Sequence, residues 1–93
     1  MIQFLVHDPK DDVGVAVVDI ESGTNCSGRI LANNQTISAE AIQAVPLGHK
    51  IALRDFAVGD TITKYDTPIG QVVQPIKAGQ LVHVHNLKTK RWA

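Results

Sequence analysis

Apolar residues fall along this chain in short, β-branched bursts at positions 2–6, 13–20, 45–53, 61–63, 69–76 and 81–84. Each burst is strand-length and stops near Gly, Pro, Asp or Asn, a pattern that predicts many short strands joined by tight turns. Only residues 38–44 offer a helix start, with Ser38 as N-cap. The run from Thr36 into Ala-Glu-Ala-Ile reads equally well as strand. The expectation is a mainly β chain with at most one short helix.

One motif recurs in the segments "DIESGTN", "VPLGHKI", "DFAVGDTI" and "PIKAGQLV". Each has an apolar residue ahead of a Gly that is followed by a polar residue. A glycine in that place supplies the positive φ of a tight turn, so one bend is expected four times. The spacing between copies is too irregular for a solenoid, whose repeats hold a fixed period. A small, repeatedly bent β-domain follows.

The length, 93 residues, suits one domain spanning 1–93 with a modest core. A fully enclosed active site is hard to carve from so small a core, so a site shared with a partner is the easier geometry. Nine basic and nine acidic residues balance, which argues against a nucleic-acid surface, since phosphate neutralisation needs an excess of Lys and Arg. Asp8, Asp11 and Asp12 crowd the start, while Lys88, Lys90 and Arg91 crowd the end. The lone Cys26 excludes an intramolecular disulfide and lies in a Ser/Gly/Asn-rich stretch that reads as loop, a spectator thiol. No apolar run approaches the ~20 residues of a membrane span, and no basic, apolar and cleavage regions open the chain, so the cytoplasm is the expected compartment.

Four histidines carry the candidate chemistry. On a strand, His83 and His85 would project to one side while Val82 and Val84 point inward. Two imidazoles so placed suit metal ligation, anion binding or proton transfer. A half-exposed strand face would look the same. His49 and Lys50 follow turn Gly48, where a basic pair beside backbone N–H groups holds a carboxylate or sulfonate, or simply solvates a turn. His7 ends the first strand, and Asp11 and Asp12 are placed to orient an imidazole or a ligand hydroxyl. Tyr65 offers a hydroxyl donor. No Gly-rich phosphate loop, serine elbow, HExxH or CxxC is present, so serine or cysteine nucleophiles have no support.

Three blocks, "VHDPKDDVGVAV", "PLGHKIALRDFAVGDTITKYDTPIG" and "AGQLVHVHNLKT", occur in the order found in the small N-terminal domain of the altronate and galactarate dehydratases. The chain resembles that family, whose domain is a β-clip of the antifreeze-like (SAF) type. Fused members continue into a large catalytic domain, whereas this chain ends at Ala93, like a free-standing small subunit of a two-chain lyase.

The resemblance implies a carbon–sulfur lyase that eliminates sulfite from 3-sulfolactate, with sugar-acid (altronate) dehydration or a non-catalytic docking module as the alternatives. It implies a divalent metal, iron by the family pattern, held mainly by a large catalytic subunit, and a small anionic hydroxy acid as substrate. Matched to the family's blocks, His49, His83 and His85 are the expected catalytic residues, with His83 and His85 as possible metal contacts. Lys50, His7, Asn86 and Asp12 are the expected substrate-binding residues. Asp66 stands where the family has Gly after Tyr, so a different backbone shape is expected at that turn. The "HxHN" block is missing from the galactarate branch.

Overall fold

A computed structural model describes residues 1–64, 67–83 and 86–89. They form nine strands: β1 (Phe4–Val6), β2 (Val13–Ala16), β3 (Asn25–Ile30), β4 (Thr36–Glu40), β5 (Lys50–Ala52), β6 (Thr61–Lys64), β7 (Thr67–Val72), β8 (Leu81–Val82) and β9 (Leu87–Thr89). A six-stranded sheet runs β4-β3-β1-β2-β5-β8, and a three-stranded one runs β6-β7-β9. Strands β1 and β3 pair in parallel, and all the other pairings are antiparallel. Among the described residues there is no helix, so none is long and apolar enough to cross a membrane.

The repeated motif is the frame of the molecule. Gly23, Gly48, Gly59 and Gly79 all have positive φ, between 86° and 95°, the value that the third residue of a type II turn requires. In each turn the N–H of the residue after the glycine closes back on a carbonyl three residues earlier: Thr24 on Glu21, His49 on Pro46, Asp60 on Ala57, Gln80 on Lys77. The turns associate in two pairs, through the isolated bridges Ile20↔Val45 and Phe56↔Ile76. The side chains repeat the symmetry. Asp19 accepts the N–H of Leu47, as Asp55 accepts that of Ala78, each at 2.8 Å.

Each pair of turns closes its own core. Phe4, Val6, Ile20, Val45 and Ile51 lead one cluster, which takes in Cys26. Phe56, Ile62, Val72, Ile76 and Val82 lead the other. Burial of such side chains contributes about 1.5–3 kcal/mol each. Strands β2 and β5 belong to both clusters, with Ala16 and Ile51 in one and Val13 and Ala52 in the other. Asp12 ties β2 to β6. Its backbone N–H donates to Thr63 O, while its carboxylate accepts the Thr63 N–H (2.8 Å) and the Arg54 Nε (3.1 Å).

Two local expectations are corrected, and the open choice between helix and strand at residues 36–44 falls to strand. Cys26 is not in a loop: it is a buried residue of β3, where Cys26, Gly28 and Ile30 alternate with more exposed neighbours. Residues 38–44 start no helix, because β4 pairs with β3 through Glu40, and Ala41 exchanges hydrogen bonds with the first turn. His83 does not ride a strand, because β8 ends at Val82 and the chain bends at His83.

Candidate functional site

The bend at His83 is built by Asn86. This buried side chain accepts the N–H of His83 (2.9 Å) through Oδ1 and donates through Nδ2 to Leu81 O (2.7 Å), while the His83 carbonyl accepts the N–H groups of Asn86 and Leu87. The chain is therefore turned out of β8 at His83, whose side chain is exposed.

His49 lies across from it. Lys50 pairs with Val82, and continuing that antiparallel register by one residue sets His49 opposite His83. Their ring centroids are 5.0 Å apart with planes at 60°, so two residues 34 positions apart in the sequence form an imidazole pair. The Nδ1 of His49 is buried and, among the described residues, has no hydrogen-bond partner, a costly state for a polar atom that points to a role.

The position of His49 in its turn explains this. At two other turns, the side chain of the residue after the glycine folds back on the turn: Asp60 accepts the Ala57 N–H (2.8 Å), and Gln80 accepts the Lys77 N–H (2.9 Å). His49 holds that position in its own turn, but the residue that would donate is Pro46, which has no N–H.

A second group gathers on the outer face of the six-stranded sheet. Leu5 pairs with Val15, and Val15 with Lys50, so the three side chains share a face. Leu5, Val15, Val17 and Leu31 floor a concavity of about 240 Å³ bordered by His7 and Lys64. Burial, and then the neighbouring charge of Lys64, push the Lys50 ammonium below its ordinary pKa. Lys64 thus borders the apolar hollow and its charge reaches Lys50, and an anion between two such ammonium groups relieves their repulsion.

The structure joins His49 to His83, and Lys50 to Lys64 with His7 nearby. Asp12 and Asn86 have their polar groups engaged within the chain, where they position β6 and His83. Asp11 is buried beside Asp12. His85, Tyr65 and Asp66 lie outside the described residues. Lys64 went unnoticed in the sequence, although it sits in the quoted block, because only the fold sets it against Lys50. Among the described residues, no three of His, Cys, Asp and Glu come together as a metal site. Two imidazoles fall short of the three or four protein ligands that a catalytic or structural zinc-like site requires.

A curled β-domain with four matched turns, an imidazole pair at one strand end and a cationic edge defines a small SAF-type β-clip. The chain belongs to the altronate/galactarate dehydratase SAF domain family, which it matches over residues 2–90. It is 49% identical over 92 residues to the (2R)-sulfolactate sulfo-lyase subunit alpha of Chromohalobacter salexigens, covering 98% of each chain. It is 41% identical over 63 residues to the subunit of the same name from Paracoccus pantotrophus, covering 68% of this chain and 94% of that one. It is 40% identical over 88 residues to the altronate dehydratase of Escherichia coli, spanning 17% of that protein's length.

Proposed function

We propose that this chain is the small subunit of a carbon–sulfur lyase that converts 3-sulfolactate to pyruvate and sulfite, and that a larger subunit completes its active site. The observation that carries the reading is the similarity to a sulfolactate sulfo-lyase subunit alpha along 98% of both chains. A protein named as a subunit has a partner, and the exposed His83 at a strand end is available to one.

The reaction removes the proton from the carbon bearing hydroxyl and carboxylate and expels sulfite from the neighbouring carbon, breaking the C–S bond. The resulting enol tautomerises to pyruvate, gaining a proton at its terminal carbon as its hydroxyl proton is lost. His83, with His49 behind it and His85 two residues on, handles the proton, the task a placed imidazole most often takes in acid–base catalysis. Lys50, reinforced by Lys64 and His7, holds the sulfonate or carboxylate, where fixed positive groups contribute most to stabilising developing charge. Asn86 and Asp12 position these groups. A divalent metal, iron by the family pattern, would be held chiefly by the larger subunit and would supply Lewis acidity to the hydroxy-acid group.

The test is to ask whether a neighbouring reading frame encodes a larger chain that co-purifies with this one, and to measure sulfite release from 3-sulfolactate by the complex. Sulfite release that needs both chains supports the reading. Turnover of altronate instead moves the chain to the sugar-acid branch. If His49→Ala and His83→Ala weaken assembly or raise KM but leave kcat intact, the chain is a docking module.

A further inference from the structure

We infer that Pro46 is a positioning residue: by withholding a backbone N–H, it keeps the His49 imidazole from being captured by its own turn and leaves the ring to face His83. The inference rests on the proposed role of the imidazole pair and adds to it the reason the pair exists.

The four turns share one backbone geometry, so they act as internal controls for one another. At Ala57/Asp60 and Lys77/Gln80, where the first turn residue has an N–H and the last a carboxylate or amide oxygen, the side chain folds back and is spent. His49 also has an acceptor, since the neutral ring always offers one nitrogen without a proton. Proline removes the donor. The Nδ1 stays buried and, among the described residues, unpartnered, and the ring sits 5.0 Å from that of His83. Pro46 also fits its place, as its fixed φ is compatible with the approach to a turn.

The test is Pro46→Ala in the complex with the larger subunit, with Leu47→Ala as a control that alters the same turn's side chains without adding a donor. Nitrogen-15 NMR of the histidine rings reports capture directly. In Pro46→Ala, the His49 Nδ1 is expected to shift to a hydrogen-bonded acceptor, and contacts between the His49 and His83 rings are expected to weaken, while Leu47→Ala leaves both unchanged. The kcat is expected to fall about tenfold or more, within the roughly 10²–10⁴-fold that a placed acid–base group supplies. KM should change little, which separates positioning from loss of fold.

An unchanged His49 spectrum with wild-type kcat in Pro46→Ala would overturn the inference. If His49→Ala is fully active, the role of the imidazole pair fails instead, and the spectrum alone then decides whether Pro46 prevents capture.

Discussion

Lys50 is caught between two demands: a position in a paired strand and a positive charge partly out of water beside Lys64. Burial first, and Lys64 second, favour the neutral amine. Below the lowered value, the lysine is charged whether the chain is folded or unfolded, and the penalty is constant. As pH rises through that value the folded chain sheds its proton first, while the unfolded chain holds its own until about 10.5. Stability therefore rises with pH across that alkaline window. Lys64→Gln should raise the Lys50 pKa and shrink this rise, measured by thermal melts from neutral to alkaline pH. The same substitution should raise KM for the anionic substrate, because it removes half of the cationic edge.

The turn glycines are also unequal. A Cβ at Gly23 or Gly59 meets nothing within 4 Å, so Ala there costs only the backbone strain, about 1–2 kcal/mol. A Cβ at Gly79 would collide with the carbonyl oxygen of Glu40, which adds an overpacking cost of about 1–3 kcal/mol. Gly79→Ala should therefore be the more damaging by urea titration. A result in which Gly59→Ala is equally damaging would contradict the close approach of the fourth turn to β4.

Among the elements, the four turns were legible in the sequence because positive φ leaves a mark: an apolar residue three places before a glycine. Strand β4 was one of two readings of its segment, but β3 was not legible, although it alternates faithfully. Its buried positions are Cys26, Gly28 and Ile30, and two of the three carry no large apolar side chain to signal burial. Gly28 is small because the Phe4 ring lies against it, where a Cβ would come within 2.1 Å. That constraint exists only once β1 and β3 are paired.

The His83 bend was hidden for a similar reason. "LVHVH" alternates as a strand would, and only the Asn86 amide, satisfied by Leu81 and His83, ends it. Asn86→Ala strips two partners of their hydrogen bonds and should cost about 1–3 kcal/mol. It should also free His83 from its bend, visible as loss of the His49–His83 contact by NMR.

In the whole molecule, two turn pairs, each with its own core and each pinned by an aspartate, are fused through β2 and β5. Asp19→Ala and Asp55→Ala should therefore cost similar amounts, about 1 kcal/mol each for one exposed hydrogen bond, and a large inequality would argue against the repeat. The imidazole pair stands at the end of β5 and β8, strands joined by only two residue pairs. Among the described residues such a site is short of walls, which on the proposed reading a second chain supplies. The sequence singled out His49 and His83 separately, but their meeting depends on the β5–β8 register, which no local pattern encodes.

The central claim is that this chain contributes imidazole to a lyase site that a larger subunit closes. Its most direct test is the rate of sulfite release from 3-sulfolactate by the purified two-chain complex carrying His83→Ala. Assembly should be intact and kcat reduced by about 10²-fold or more. Wild-type turnover in an intact His83→Ala complex would contradict the claim.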